Sequence, residues 1–395
     1  MYADYANRMN NIKGSAIRAL LKLADQPDII SFAGGFPAPE FFPVQEMIKV
    51  SRKVLEEDGL KALQYGPTDG LPALRQHICK LMEVQSIKAD IAEVLITGGS
   101  QQGLDMSGML FINKGDIVIT ESPSYLGALN AFKAYEPTFV EVEMDEQGML
   151  IDKLEKALEA NKGKVKFIYT IPDFQNPTGR TMTIDRRKKM VELANKYGVY
   201  ILEDNPYGAL RFEGEIHPAI KSFDTEGRVI YLGTMSKIFC PGLRLGWVCA
   251  SPEVINKYNL IKQGVDLQCN SMAQRECATF FDMYDINEHI AKIVRTYRNR
   301  RDLMLKTIEE TFPKGVSYTH PEGGLFLWVT LPEGVDAAEV FKKALEKKVA
   351  FVVGEPFYPN GGNANHLRLN YSSMPGDKIV EGIKRLGEVL TEVLG

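Results

Sequence analysis

The stretch Thr234-Met235-Ser236-Lys237-Ile238-Phe239-Cys240-Pro241-Gly242-Leu243-Arg244-Leu245-Gly246-Trp247 decides how the rest of the chain is read. It follows a short apolar run, Val229-Ile230-Tyr231-Leu232, that reads as a buried strand ending at Gly233. Hydroxyl residues precede Lys237, Arg244 follows it, and a second apolar run, Leu245 to Ala250, reads as the next strand. An amine at a strand end, ringed by anion binders, suits a cofactor that carries an aldehyde and a phosphate. Lysine can form a Schiff base with pyridoxal phosphate, which then acts as an electron sink. An ordinary surface lysine fits the run equally well, so the remainder of the chain has to decide.

Composition is that of a globular protein: 395 residues, 45% hydrophobic and 25% charged, long enough for roughly two or three domains. A net charge of -4 gives no basic field of the kind nucleic-acid binding needs. The start, Met1-Tyr2-Ala3-Asp4-Tyr5-Ala6-Asn7-Arg8, has no apolar h-region, and no apolar run reaches membrane-spanning length. A cytoplasmic protein without nucleic-acid or membrane partners is expected. The 5 cysteines form no C-x-x-C pair and suit reduced thiols, and the 5 histidines lack the pairing of a zincin helix, so no metal site is expected.

Apolar strand-like runs alternate with helical patterns through the middle of the chain, the signature of an α/β domain with a largely parallel sheet. The candidate strands are Glu93 to Thr97, Asp116 to Thr120, Phe139 to Val142, Lys166 to Ile171, Val199 to Leu202, Val229 to Leu232 and Leu245 to Ala250. Thr183 is placed to cap a helix that stops at Tyr197-Gly198. Arg186-Arg187-Lys188-Lys189 reads as a solvated face of that helix. Beyond about residue 285 the pattern becomes α+β, with a long helix from Glu288 to Thr311, short strands, and a final helix from Pro375 to Leu394. The first 45 residues, too short for a core, are expected to join this second domain.

Four further segments fall where strands should end. Thr97-Gly98-Gly99-Ser100-Gln101-Gln102-Gly103 precedes a helical run; its glycines let backbone approach an anion, Ser100 can cap the helix, and the free N–H groups favour a phosphate. Asn176, in Gln175-Asn176-Pro177-Thr178-Gly179, places an amide donor at a strand's carboxyl end, where α/β sheets bind ligands. In Leu202-Glu203-Asp204-Asn205-Pro206-Tyr207, Asp204 could pair with a protonated pyridine nitrogen and Tyr207 could hydrogen-bond the ring's O3'. Tyr125, in Glu121-Ser122-Pro123-Ser124-Tyr125, could stack on the ring. Each signal is weak alone. Their order supplies an anion site, a stacking ring, an oxygen donor, a pyridinium partner and an imine lysine at successive strand ends.

In that order the residues resemble the fold-type I, class I/II aminotransferases across essentially the whole chain. Ile17-Arg18-Ala19-Leu20-Leu21-Lys22-Leu23 and Ile30-Ser31-Phe32-Ala33-Gly34-Gly35-Phe36-Pro37-Ala38-Pro39 look most similar to the branch holding 2-aminoadipate aminotransferases and kynurenine aminotransferase II. The resemblance implies pyridoxal 5'-phosphate on a large domain over residues 46–304 with a seven-stranded, mostly parallel sheet. It also implies a small α+β domain from residues 1–45 and 305–395, and a homodimer with shared active sites. Ser100, Gln101, Thr234, Ser236 and Arg244 would surround the phosphate and Tyr65 would reach the partner subunit's phosphate. Tyr125 would stack on the ring, Asn176 and Tyr207 hold O3', and Asp204 pair with the ring nitrogen. Arg368, in Leu367-Arg368-Leu369-Asn370, would grip the substrate α-carboxylate through its planar fork, with Gly35 and Asn176 beside it. Arg18 would meet a distal carboxylate from a covering N-terminal element.

The implied activity moves an amino group between an L-amino acid (2-aminoadipate, aromatic or aliphatic) and a 2-oxo acid such as 2-oxoglutarate, with Lys237 exchanging the Cα proton. Two alternatives share parts of this pattern. A carbon-sulfur lyase shares the ring-binding residues, and a transcription regulator with an aminotransferase-like domain would need a DNA-binding module for which the first 45 residues leave little room.

Overall fold

The computed structural model describes residues 5–10 and 28–395. Apolar, β-branched runs form a central sheet in the order Val94–Thr97, Gly246–Cys249, Val229–Thr234, Tyr200–Asp204, Val165–Thr170, Ile117–Ser122, Thr138–Asp145 and Gly148–Met149. The seven expected strands are all present, and Gly148–Met149 adds an eighth at one edge. That strand is two residues long, set by a tight reversal in which the Gln147 N–H donates to Asp145 Oδ1 at 2.8 Å and Gly148 takes φ +92°. So short a strand leaves no alternation to read.

From Thr138–Asp145 through Ile117–Ser122, Val165–Thr170 and Tyr200–Asp204 to Val229–Thr234 every pairing is parallel, while Gly246–Cys249 runs antiparallel to both its neighbours. Parallel pairing requires a crossover between strands, and helices such as Ser100–Phe111, Ile151–Ala160 and Ile184–Tyr197 supply them. It also puts the carboxyl ends of these strands on a single sheet edge. Ser122, Thr170, Asp204 and Thr234 therefore finish side by side, and so does Thr97, whose partner Gly246 also pairs with Thr234.

The turns differ from expectation in two places. Thr183 stands at the N-cap of helix Ile184–Tyr197 but makes no side-chain cap bond, whereas Gly198 does end that helix, at φ +69°. Ser100 is the first residue of its helix, and Gly99 holds the cap position.

Arg186-Arg187-Lys188-Lys189 is not one solvated face. At 100° per residue, Arg187 turns inward with Met190, Val191 and Ala194 and is fully buried. Its guanidinium meets both oxygens of buried Asp173, at 2.6 and 3.1 Å, and donates to the carbonyls of Pro172, Met182 and Pro218. Burial would push the Asp173 carboxyl up, but Arg187 together with Arg211 and Asn205 outweighs it and holds it below its ordinary value.

The C-terminal part forms an antiparallel sheet in the order Ser317–Tyr318, Phe326–Thr330, His366–Asn370, Val352–Val353. Ile30–Ser31 pairs in parallel with Val349–Ala350, and the Asn370 N–H donates to the Phe32 carbonyl at 2.9 Å. The segment after residue 30 is thereby laid beside Arg368. Helix Ile286–Thr311 runs unbroken across the expected boundary at 304/305 and packs on Gly376–Leu394. No helix of the described residues is long and apolar enough to cross a membrane.

Replacing one partner of a buried ion pair strands the other charge. Arg187→Met should therefore lose about 3–5 kcal/mol in urea unfolding, and the double variant Arg187→Met/Asp173→Leu should recover part of that loss. A double variant no more stable than the single one would contradict this reading.

Candidate active site

The sheet edge where the strands end opens into a cavity of about 800 Å³. Its lining includes Gly35, Ser100, Gln101, Tyr125, Asn176, Asp204, Tyr207, Thr234, Ser236, Lys237, Arg244 and Arg368, twelve of the fourteen residues singled out from the sequence. Tyr65 is not among them. It stands exposed on the loop Gln64–Pro67, beside Ser271 and Gln274. Arg18 lies outside the described residues.

Asp204 closes strand Tyr200–Asp204 and is 2% exposed. Its Oδ2 accepts from the Tyr169 phenol at 2.9 Å, while Oδ1 has no hydrogen-bond partner among the described residues. Burial pushes its carboxyl up to about 7, against the lowering pull of the Tyr169 bond and of Lys237. Lys237, in the turn after Val229–Thr234, points Nζ at the Gly35 carbonyl, 2.8 Å away. Burial and then the positive charges of Arg368 and Arg244 bring its ammonium down to about 8, with Asp204 opposing. A carboxyl and an amine are thus drawn toward neutrality in one cavity.

At one end of the cavity lies the N-terminus of helix Ser100–Phe111. Thr234 Oγ1 donates to Ser236 Oγ at 3.0 Å and accepts from the Ser236 N–H at 3.1 Å, which fixes two hydroxyls there. Arg244 Nη2 donates to the Gly98 carbonyl at 3.0 Å. Gly99 is required at this corner: it takes φ +83°, and a Cβ would come within 2.7 Å of Arg244 Nη2. Helix N–H groups, two hydroxyls and a guanidinium together make an anion cup.

At the other end, Arg368 rises from strand His366–Asn370, 4% exposed. Nη1 donates to Asn176 Oδ1 at 2.8 Å and Nη2 to the Ala33 carbonyl at 2.9 Å, while Nε has no partner among the described residues. The guanidinium lies 4.1 Å from the Phe326 ring centroid. No carboxylate among the described residues pairs with it. Burial lowers its pKa to about 10, so it stays charged at neutral pH.

Several contributors escaped sequence reasoning. Tyr169 orients Asp204 from the neighbouring strand, Phe326 forms the floor under Arg368, and the Ala33 carbonyl takes one of its donors. Glu121 is buried and accepts from Thr170 Oγ1 at 2.5 Å and Gln175 Nε2 at 3.0 Å. Gln175 Oε1 in turn accepts from the Thr178 N–H and hydroxyl, closing the turn that presents Asn176. Gly127 leaves room for the Tyr125 ring, which a Cβ there would meet at 2.4 Å.

The family model for aminotransferase class I and II matches residues 27–386. The chain belongs to the class I and II aminotransferases. It is 48% identical to an aromatic-amino-acid aminotransferase of Thermococcus litoralis, over 98% of this chain and 94% of that protein. It is 40% identical to a 2-aminoadipate transaminase of Thermus thermophilus, over 97% of this chain and 95% of that one. Among solved structures, a Pyrococcus horikoshii kynurenine aminotransferase in complex with PMP superposes with a TM-score of 0.95 at 44% identity, covering 99% of this chain and 98% of that chain.

The cofactor of this aminotransferase is pyridoxal phosphate, and the cavity fits it. An unpartnered buried carboxyl oxygen suits a pyridinium N–H, a lysine amine with a lowered pKa suits an aldehyde, and the cup at Gly99 suits a phosphate.

The Asp204 shift has a consequence for stability. In the cofactor-free protein its folded pKa of about 7 exceeds the unfolded value, so ionisation opposes folding fully above about pH 7 and not at all below about pH 4. Cofactor-free Asp204→Asn should melt above wild type at pH 8, on the order of 2–4 °C, and the difference should shrink as pH falls toward 4. An Asn variant that melts lower at pH 8 would contradict the unpaired carboxylate.

Proposed function

We propose that this aminotransferase takes both apolar and acidic L-amino acids as donors and passes the amino group to 2-oxoglutarate, working as a homodimer in the cytoplasm. The observation that carries the reading is Arg368: a buried, charged guanidinium with no carboxylate partner among the described residues, facing a cavity whose other walls include Phe36, Leu126, Ile171 and Phe326. An unpaired buried cation calls for an anion, and a substrate α-carboxylate supplies one shared by every amino acid. The apolar walls then suit an aromatic or aliphatic side chain. The names of the similar aromatic-amino-acid and 2-aminoadipate enzymes support both substrate classes.

In this reading Ser100, Gln101, Thr234, Ser236 and Arg244 hold the phosphate, with Tyr65 delivered to the partner subunit. Tyr125 stacks on the ring, Asn176 and Tyr207 meet its oxygen, and Asp204 pairs with its nitrogen. Pyridoxal phosphate, when bound, supplies an electron sink for the charge left as the substrate Cα–H bond breaks. The chain's own residues do the rest. Lys237, with its ammonium lowered to about 8, is neutral often enough near pH 8 for Nζ to take a proton and return it. The Gly35 carbonyl holds Nζ on the side of the cavity near Arg368's contact Ala33. Tyr169 keeps Asp204 oriented, and Arg368, braced by Asn176 and Ala33, fixes the substrate's carboxylate end. Residues 46–304 would carry the cofactor and residues 1–45 with 305–395 the substrate's carboxylate grip.

An amino-donor panel with 2-oxoglutarate, read as glutamate formed, tests the substrate claim. The expected result is turnover of 2-aminoadipate and of phenylalanine, tyrosine or kynurenine. Failure of all acidic donors, or of all apolar ones, would overturn dual specificity. Arg18→Ala should raise KM for 2-aminoadipate and 2-oxoglutarate by the equivalent of about 1.5–3 kcal/mol, the worth of a charge-assisted hydrogen bond, while leaving phenylalanine nearly unchanged. Equal effects on acidic and apolar substrates would remove Arg18 from the site.

A further inference from the structure

Behind the turn Thr97-Gly98-Gly99-Ser100, away from the cavity, lies a fully buried lysine that amino-group transfer does not use. Lys262, near the end of helix Pro252–Val265, is 0% exposed. Its Nζ lies 2.8 Å from both carboxylate oxygens of Asp266 and 3.1 Å from Gln102 Oε1. Gln102 Nε2 donates to Asp266 Oδ2 at 2.7 Å. The same Gln102 Oε1 accepts the Gly98 N–H at 2.7 Å, and the Gly98 carbonyl accepts from Arg244 Nη2 at 3.0 Å. Gly98 is therefore gripped through both of its peptide groups, its N–H by Gln102 and its carbonyl by Arg244.

The orientation of the Gln102 amide is fully determined. Turned over, it would set its NH2 group against two donors, the Gly98 N–H and the Lys262 ammonium, and its oxygen against the Asp266 carboxylate. Lys262 is buried whereas the Asp266 carboxylate reaches solvent, and an ion pair screened in that way adds little stability by itself. What this pair does accomplish is to lock Gln102, and through it the N–H of Gly98 in the Thr97–Gly98 peptide. Gly99 sits at φ +83° and Ser100 opens the helix, so a shift of Gly98 would move the helix's first N–H groups and the carbonyl under Arg244 together.

We propose that Lys262, Asp266 and Gln102 are positioning residues for the cofactor's phosphate, acting through Gly98 on the helix N-terminus and on Arg244. The inference rests on the assignment of Ser100, Gln101 and Arg244 to the phosphate. Because the trio acts on the phosphate cup alone, its removal should weaken pyridoxal phosphate and spare pyridoxal, which lacks the phosphate.

The test uses full-length protein stripped of cofactor, with binding of pyridoxal phosphate and of pyridoxal each followed by absorbance. Gln102→Leu and Lys262→Met should raise Kd for pyridoxal phosphate about tenfold or more and change Kd for pyridoxal less than about twofold. Asp266→Asn keeps the shape and removes only the charge, so it is the variant to read if either of the others fails to fold; it should show the same selectivity at smaller size. Equal weakening of both ligands, or of neither, overturns the proposal. Arg244→Ala serves as the reference. If it too fails to discriminate between the ligands, the phosphate assignment itself falls, whereas discrimination by Arg244→Ala alone leaves that assignment standing and removes only the trio.

Discussion

A carboxylate buried with no ion-pair partner among the described residues, at the end of a parallel strand, is the constraint on which the rest of this site depends. Asp204 has one oxygen on Tyr169 and the other free, and burial lifts its pKa to about 7. Lys237 faces the mirror-image problem and is brought down to about 8. Neither group is neutralised by the protein itself, and a surface pair would simply have been solvated. Such opposed shifts persist only where surrounding structure fixes the groups, and they mark a place where a ligand completes the charges. In the proposed reading a pyridinium and an aldehyde would complete these two.

The sheet provides the fixing. Parallel pairing from Thr138–Asp145 to Val229–Thr234 aligns carboxyl ends contributed by segments far apart in sequence. Buried polar networks then hold each side chain. Glu121 and Gln175 brace the Asn176 turn, while Asp173 clamps Arg187 and accepts from Asn205 Nδ2 at 3.0 Å, next to Asp204. The Arg368 end of the cavity is built differently. Arg368 comes from the C-terminal sheet, and its partners Ala33 and Asn176 come from two other regions. The pairing of Ile30–Ser31 with Val349–Ala350 is what brings Ala33 and Gly35 within reach.

Much of this was legible in the sequence because strand ends are punctuated. Gly98-Gly99, Asn176-Pro177, Asn205-Pro206 and Gly233 break apolar runs, and the polar residues beside those breaks line the cavity. What stayed hidden lies inside regular elements or depends on tertiary contact. Tyr169 sits within an apolar strand and reads as core until its hydroxyl is seen on Asp204. Arg187 sits in a run of four cations, and only the helix's rotation separates it from its solvated neighbours. Lys262 looks like any lysine near a helix end, and nothing local announces that Gln102 lies above it. The reversal at Asp145–Gly148 likewise hid a strand too short to carry a pattern.

The central claim is that Lys237 is the amine that binds the cofactor at this sheet edge. Reduction of the cofactor-loaded protein with borohydride, followed by digestion and mass mapping, tests it most directly. The account predicts a pyridoxyl adduct on Lys237 and none on the buried Lys262 or any other lysine. An adduct on a different lysine, with Lys237 unmodified, would contradict it.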